Sequence, residues 1–228
     1  KNNKLIFAPG VLTGSPAADS GRMSAGAKSP LTGGIKESNS GGLVSQKLAR
    51  LGITALVLED KPEDDGYSLV VVNKDGVEIL PADDLAKKGN YAVMEALWDK
   101  YGKNVGVLSI GQAGEQCLKG ASINQADMNG RPGRAHGRGG LGAVMGSKKI
   151  KAIVVDDTGA PRVEIKDPEA FKAANKRWVE MLRNHPVTGE GLPALGTAVL
   201  VNVINEAGTL PTKNFRSGRF DHAQAISG

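Results

Sequence analysis

The chain has 228 residues, of which 40% are hydrophobic and 23% are charged. This balance allows a buried core and excludes wholesale disorder. The formal net charge is +5, but the basic residues are spread along the chain apart from one arginine- and glycine-rich cluster. The pattern therefore does not favour general nucleic-acid binding.

Cysteine content and hydropathy bear on the cellular compartment of the protein and on whether it has a membrane segment. The single cysteine, Cys117, supports neither an internal disulfide nor a cysteine-ligated cluster, and it fits a reducing, cytoplasmic compartment. No run reaches the roughly 18 consecutive apolar residues of a membrane span, and the start lacks the apolar stretch of a signal peptide. We therefore expect a protein without a membrane segment. Because the chain starts without Met and its first apolar run already resembles a strand, we also expect sequence to be missing on both sides.

The first 110 residues alternate between strand and helix patterns. Residues 9–42, rich in Gly, Ser, Pro and Thr, predict a long functional loop. A hairpin is predicted around the turn Asn73-Lys74-Asp75-Gly76. The remaining apolar patterns predict strands at 5–8, 53–58, 68–72, 77–80 and 105–110, and helices at about 44–51 and 83–101.

The order of these elements occurs twice. Gly41-Gly42 opens one predicted helix, and Gly139-Gly140 opens another over residues 141–147. Each helix is preceded by a strand that ends in glycine and is followed by a strand, the second of which covers 150–157. This order predicts a degenerate internal duplication; the alternative is two similar units that arise from ordinary strand and helix patterns.

Near residue 160 the sequence changes from alternating strand and helix patterns to helix patterns, which predicts a domain boundary. Residues 158–161 are typical of a linker. Asp167 then provides a predicted N-cap with Pro168 at the first helical position, and a second helix over 197–207 is expected to end at Gly208. The expected domains are residues 1–160 and the beginning of a helical domain at 161–228.

The first segment that could bind a ligand combines Arg22 with residues 38–42, Ser-Asn-Ser-Gly-Gly. Paired glycines at a helix start allow backbone N–H groups to approach an anion, and the helix dipole favours negative charge there. Arg22 could add a bidentate contact to phosphate. The alternative interpretation is a capped helix that follows a glycine-rich turn.

The second such segment, residues 130–140, contains three arginines and five glycines. This composition favours phosphate binding, yet the segment is neither a Walker A loop nor a dinucleotide-binding fingerprint. A flexible, solvated basic loop is the alternative. If the duplication holds, the two segments are equivalent and provide two related anion sites.

The remaining reactive side chains do not form a recognisable catalytic centre. His136 is not expected to bind a metal, because His185 and His222 are remote and no carboxylate is suitably spaced. Cys117 is expected to be a small buried residue rather than a nucleophile. No pair of nucleophile and base stands out, so the catalytic residues are unknown.

Several motifs together resemble the aldehyde ferredoxin oxidoreductase family over essentially the whole chain. The most specific is the twelve-residue string from Gly137 to Lys148, GRGGLGAVMGSK. The others are AKSPLTG at 27–33, SNSGG at 38–42 and LPTKNF at 210–215. His136 departs from the small residue expected in the family.

The resemblance implies an α+β fold, with a duplicated, saddle-like β/α amino-terminal domain followed by the start of a helical domain. It also implies a tungsten or molybdenum atom held by two pterin dithiolenes, with magnesium bridging the pterin phosphates. The backbone carbonyls of Asn39 and Ala135 are the candidate magnesium ligands. The implied cofactor-binding residues are Arg22, Asn39, Ser40 and Gly41 in one set and Arg134, Ala135, Gly137 and Arg138 in the other.

The function implied by the resemblance is oxidation of aldehydes to carboxylic acids. Electrons would leave through a 4Fe-4S cluster, bound by residues outside this segment, to ferredoxin or an electron-transfer subunit. A homo- or hetero-oligomer is expected. The alternatives are the catalytic subunit of a related aromatic acyl-coenzyme A reductase and a non-catalytic phosphate- or nucleic-acid-binding module.

Overall fold

The computed structural model describes residues 3–228 and divides into two compact units, one ending at Ile165 and the other covering Lys166–Gly228. The first unit contains both sheets, and the second is helical. The strands are β1 (Leu5–Pro9), β2 (Arg22–Lys28), β3 (Ile35–Gly41), β4 (Leu56–Leu58), β5 (Ser68–Asn73), β6 (Gly76–Pro81), β7 (Gly106–Ser109), β8 (Ile123–Gln125), β9 (Arg134–His136) and β10 (Ile150–Val155). The helices of the first unit are α1 (Leu43–Arg50), α2 (Asn90–Tyr101), α3 (Gln112–Glu115) and α4 (Leu141–Ser147).

Sheet topology confirms the internal duplication. The first sheet has the order β3-β2-β1-β4, and the second has the order β6-β5-β10-β7-β8-β9. The run β9-β8-β7-β10 repeats the first sheet step by step, because every neighbouring pair in both runs is antiparallel. Helix α1 joins β3 to β4, and α4 joins β9 to β10 at the same step. The hairpin β5–β6 is an addition to the second sheet, with β5 parallel to β10.

The prediction of one long loop over residues 9–42 is wrong. Strands β2 and β3 pair along their full length and are joined by a turn in which Ser29 N donates to Gly34 O at 2.9 Å. Met23, Ala25 and Ala27 alternate as the buried face of β2. The sequence does not predict strand β2 because Ala, Gly and Ser have little preference for strands. Strands β8 and β9, which flank and enter the arginine-rich segment, were not predicted because each has only three residues and carries polar side chains.

Other element boundaries shift by a few residues. The expected helix over 83–101 begins only at Asn90, because Lys87 has a φ of 63° and separates α2 from a short 3-10 turn at Asp83–Leu85. Only Leu56–Leu58 of the strand expected at 53–58 pairs in the sheet. The β5–β6 hairpin is confirmed, and Asn73 Oδ1 accepts from the N–H groups of Asp75 and Gly76.

Strand β10 separates two hydrophobic cores. Ile153 and Val155 point into a core beneath α1, α4 and the first sheet, whereas Ala152 and Val154 point into a second core beneath α2. This placement explains the unbroken apolar run, since a strand buried on both faces needs no polar alternation. Each large side chain buried here contributes about 1.5–3 kcal/mol through removal from water.

A buried ion pair fixes α3 beneath the loop that leads to α2. Lys151 Nζ is fully enclosed and donates to the carboxylate of Glu115 and to the carbonyl oxygens of Lys88 and Ile110. All three protons of the ammonium therefore have acceptors, as a buried charge requires. Cys117 follows α3 with a φ of 54° and is exposed, so the prediction that it is buried is wrong.

The second unit begins with α5 (Pro168–Asn184), and the predicted cap is confirmed because Asp167 Oδ1 accepts from Ala170 N at 2.9 Å. The expected helix over 197–207 is divided into a 3-10 turn and a short α-helix, and its stop at Gly208 has a φ of 72°. After α5 come a π-helical turn (Pro186–Gly191), α6 (Leu192–Leu195), the 3-10 turn (Gly196–Leu200) and α7 (Val201–Glu206).

One stretch, Pro186–Glu206, is long and apolar enough by length and composition to cross a membrane, with a mean hydropathy of 1.4 over its most apolar window. Polar residues interrupt this stretch, so it does not contain a run of about 18 consecutive apolar residues. A single such helix is weak evidence for a membrane span, because helices of soluble proteins pass the same test.

A second ion pair joins the two repeats. Lys47 Nζ and Arg50 Nη1 of α1 contact the two carboxylate oxygens of Asp157, just beyond β10, at 2.5 and 3.2 Å. Burial raises the pKa of the Asp157 carboxyl, but the hydrogen bonds and charges of Lys47 and Arg50 outweigh burial and hold the pKa below its usual value of 3.8. The charged form is therefore stabilised in the folded protein.

We predict that Asp157→Asn lowers the midpoint of chemical denaturation at pH 7, because two cations lose their counter-charge. A depressed pKa gives stability that is fully present above about pH 3.8 and is lost as the pH falls through the lower folded value. The difference between wild type and variant should therefore be the same at pH 7 and pH 5 and should close only in stronger acid. A difference that already closes between pH 7 and pH 5 would contradict this assignment.

Candidate functional site

The β2–β3 hairpin brings most of the first predicted set together at one end. Arg22 pairs in register with Gly41, and Asn39 pairs with Ser24. Arg22 Nε donates to Asn39 Oδ1 at 2.6 Å, and Asn39 Nδ2 donates to Ser24 Oγ at 3.3 Å. Both Arg22 and Asn39 are exposed. Arg22, Asn39 and Gly41 therefore form one surface group.

Ser40 belongs to this segment but its side chain faces the other way. Its residue is 3% exposed, and its hydroxyl donates to the carbonyl oxygen of Gly41 at 3.0 Å. Side chains alternate along a strand, so Ser40 points to the face opposite Asn39. Only backbone atoms of Ser40 are thus placed to contact a ligand on the Asn39 side.

The second predicted set lies along β9 and the residues that follow it. Arg134, Ala135, Gly137 and Arg138 are all exposed. A side-chain carbon at Gly137 would have open space around it. Within residues 3–228, Arg22, Arg134 and Arg138 form no ion pair with a carboxylate. Their guanidinium groups therefore remain available to an anionic ligand.

The two sets lie side by side because β3 and β9 are edge strands of different sheets that meet. His136 Nδ1 donates to the carbonyl oxygen of Ser38 at 2.8 Å, and Arg138 N donates to Ser38 Oγ at 3.2 Å. Ser29 Oγ also donates to the carbonyl oxygen of Gly139 at 2.7 Å. Three hydrogen bonds therefore join the β2–β3 hairpin and its turn to the second segment.

His136 is a buried strand residue rather than part of a flexible loop. It is 0% exposed, and its ring packs edge-on against Phe7 with 6.1 Å between ring centroids. Burial lowers the pKa of His136, and the hydrogen bond to Ser38 and the charge of Glu37 offset this only in part. The imidazole is therefore neutral near pH 7.

The expectation that free N–H groups at the helix starts bind an anion is wrong for three of these groups. At α1, Leu43 N donates to Ala126 O at 3.1 Å, and Val44 N donates to Gln125 Oε1 at 3.3 Å. At α4, Gly142 N donates to Ala121 O at 2.9 Å. These donors are already satisfied within the protein, so positive charge at the site comes mainly from arginine.

Gly42 and Gly139 allow close packing between the repeats, and Gly140 allows close packing within the second repeat. A Cβ at Gly42 would lie 2.6 Å from the Gln125 side chain, and one at Gly139 would lie 2.4 Å from Lys36 Cγ. A Cβ at Gly140 would lie 2.0 Å from Lys119 O, and Gly140 has a φ of 69°. A side chain at Gly42 or Gly139 would displace the Gln125 or Lys36 side chain, and one at Gly140 would require movement of the backbone.

Sequence reasoning missed two residues of this region. Gln125 is fully buried beside Gly42, and the alternation of Ala121, Ile123 and Gln125 on the buried face was the only available signal. Glu37 is exposed and shares a strand face with Asn39, so it places one negative charge beside the arginines. In the described part of the chain, no three His, Cys, Asp or Glu side chains are placed to hold a metal ion.

Two family models match the sequence of this chain. The aldehyde ferredoxin oxidoreductase N-terminal domain matches residues 1–157, and domains 2 and 3 of the same enzyme match residues 173–228. The chain belongs to the aldehyde ferredoxin oxidoreductase family. The resemblance carried by the motifs is confirmed.

Individual relatives in this family are similar over nearly the whole chain. The tungsten-containing aldehyde ferredoxin oxidoreductases of Thermococcus kodakarensis and Pyrococcus horikoshii are each 45% identical over 227 residues, which is 99% of this chain and 36% of each relative. The solved active site complex BamBC of benzoyl coenzyme A reductase is 26% identical with a TM-score of 0.76, over 98% of this chain and 35% of that one. The chain thus spans about a third of the proteins that it matches.

For this aldehyde ferredoxin oxidoreductase family member, we predict that Gly140→Ala lowers the free energy of unfolding by about 3 kcal/mol, because a Cβ would meet the Lys119 carbonyl and the φ is unfavourable. Gly34→Ala is the matched control, since its Cβ would meet nothing within 4 Å. Chemical denaturation of both variants checks this. Equal stabilities for Gly140→Ala and Gly34→Ala would show that α4 does not need glycine at its start.

Proposed function

We propose that the chain is the cofactor-binding part of a tungsten- or molybdenum-pterin oxidoreductase that oxidises aldehydes to carboxylic acids. A 4Fe-4S cluster, bound by residues outside this segment, would supply electron transfer to ferredoxin or an electron-transfer subunit in the cytoplasm. The observation that carries the proposal is the meeting of β3 and β9, which brings the residues of both predicted sets to one region of a family member.

The chemistry of the exposed groups fits a ligand with two phosphates. Arg22, Arg134 and Arg138 lack carboxylate partners among the described residues, and guanidinium binds phosphate through paired, charge-assisted hydrogen bonds. Asn39 holds the Arg22 side chain in place through its amide oxygen. Two positively charged groups, one from each repeat, would hold one phosphate each.

Magnesium would bind between these phosphates through hard oxygen ligands. Mg²⁺ prefers oxygen and commonly combines a few protein ligands with phosphate oxygens and water. The carbonyl oxygens of Asn39 and Ala135 remain the proposed protein ligands. Ala135 suits this role because it is exposed and its methyl group leaves room for a ligand.

When bound, the metal-pterin group would supply the two-electron redox chemistry of the reaction. The residues of this chain would bind and orient that group rather than transfer protons, because no nucleophile and base stand together among the proposed residues. The catalytic acid or base therefore stays unassigned.

A second candidate function is reduction of an aromatic acyl-coenzyme A. The structural likeness to BamBC of benzoyl coenzyme A reductase favours it, but the sequence identity is 26%, compared with 45% to the aldehyde ferredoxin oxidoreductases. A third, a phosphate- or nucleic-acid-binding module without a cofactor, conflicts with family membership.

The full-length protein, purified without oxygen from cells supplied with both metals, distinguishes these functions. We expect tungsten or molybdenum together with iron, and ferredoxin-coupled oxidation of aldehydes. Activity only with an aromatic acyl-coenzyme A would favour the second candidate. Folded protein with neither metal would refute the proposal and leave the third.

We predict that Arg138→Ala in the full-length protein lowers the tungsten or molybdenum content at least twofold, because one phosphate loses its counter-charge. Arg177→Ala on α5 is the control, since this arginine is exposed and lies outside the proposed set. Elemental analysis per folded chain measures the effect. Equal metal content in the two variants would show that Arg138 does not hold the cofactor.

A further inference from the structure

We propose that His136 and Gln125, both from the second repeat, form a clamp that fixes the two ends of residues 39–43, a stretch that contains Asn39, Ser40 and Gly41 of the first predicted set. The cofactor role of this segment rests on the proposed function, but the clamp itself rests on the hydrogen bonds. Ser38 lies immediately before these residues and Val44 immediately after them. His136 contacts the carbonyl oxygen of Ser38, and Gln125 contacts the backbone N–H of Val44.

The direction of each hydrogen bond in the series Ser38–His136–Gln125–Val44 follows from the backbone groups at its two ends, a carbonyl oxygen and an N–H. Ser38 O can only accept, so His136 Nδ1, which lies 2.8 Å away, must carry the proton. Gln125 Nε2 lies 3.4 Å from His136 Nε2, and an amide nitrogen can only donate, so His136 Nε2 is the acceptor. The amide nitrogen of Gln125 is therefore the donor in this contact.

The other end of the chain of hydrogen bonds requires the same orientation. Val44 N can only donate, and it donates to Gln125 Oε1 at 3.3 Å. A flipped amide would place a donor against Val44 N and an acceptor against His136 Nε2, which has no proton to give. One tautomer of His136 and one orientation of Gln125 therefore satisfy the whole chain.

Burial makes this chain of hydrogen bonds costly to break. Both His136 and Gln125 are 0% exposed. A buried polar group that loses its partner costs about 1–3 kcal/mol. Packing adds to the constraint, because Phe7 lies against the His136 ring and Gly42 lies against Gln125 with no room for a side chain.

The clamp also relates the two segments to each other. Asn39 directly follows Ser38, and Ala135 directly precedes His136, so the bond from His136 to Ser38 sets the separation of the two proposed magnesium ligands. Neither clamp residue is exposed, and each acts through the backbone of its neighbours. They are positioning residues.

Three variants of the full-length protein test the clamp. His136→Leu removes both of its hydrogen bonds but keeps an apolar body, whereas His136→Asn retains a donor near the Nδ1 position. Gln125→Met keeps the length of the side chain and leaves the His136–Ser38 bond intact. Met94→Ala, in the other core, is the control for general loss of stability.

Amide hydrogen exchange of residues 39–44, followed by mass spectrometry, is the primary readout. We expect at least tenfold faster exchange there in His136→Leu and Gln125→Met, a smaller increase in His136→Asn, and no selective increase in Met94→Ala. The variant that combines His136→Leu with Gln125→Met should exchange at least as fast as either single variant, because each single variant leaves the hydrogen bond at the other end in place. Metal content should fall in the same order.

Unchanged exchange of residues 39–44 in Gln125→Met and His136→Leu would overturn the clamp, as would an increase equal to that in Met94→Ala. Gln125→Met alone decides the matter if His136→Leu does not fold. Absence of metal from the wild-type protein would refute the proposed function instead, and the exchange measurement would still test the clamp.

Discussion

The hydrogen bond from the His136 ring to the Ser38 carbonyl joins two edge strands, β3 and β9, that belong to different sheets. Much of the site depends on this contact. Edge strands normally leave a row of unpaired backbone groups, and here each edge is partly covered by the other repeat. Duplication alone would give two similar units; the contact between the edges brings their equivalent segments together.

The same contact explains how the glycine pairs are used. Glycines before a helix suggest an anion site formed by backbone N–H groups, yet Leu43 and Val44 donate to groups of the second repeat. The absence of side chains at Gly42 and Gly140 allows close approach of protein to protein. Charge at the site is therefore supplied by exposed arginines: Arg22 on β2, Arg134 on β9 and Arg138 just after β9.

The sequence predicted those parts of the fold whose signals are local. The Asn73-Lys74-Asp75-Gly76 turn, the Asp167 cap and the helix that starts after Gly140 each depend on neighbouring residues, and each was found. Strand β2 escaped because its buried face is formed by Met and Ala, and β9 because it is short and lies among arginines.

The candidate site was predicted as two segments but not as one arrangement. Spacing before the glycine pairs identified Asn39 and Arg138, whereas the role of Gln125 depends on its contact with Val44, which is 81 positions away in the sequence. No periodicity in a single sequence encodes such a contact. His136 stood out only as a departure from the family motif, and its function in packing required the fold.

A density map of the full-length protein, purified and imaged without oxygen, tests the central claim most directly. We predict a cofactor with two phosphates. One phosphate should lie within hydrogen-bond distance of Arg22 or the backbone of residues 39–41, and the other within hydrogen-bond distance of Arg134 or residues 137–138. A cofactor that binds elsewhere, or that contacts only one of the two repeats, would contradict it.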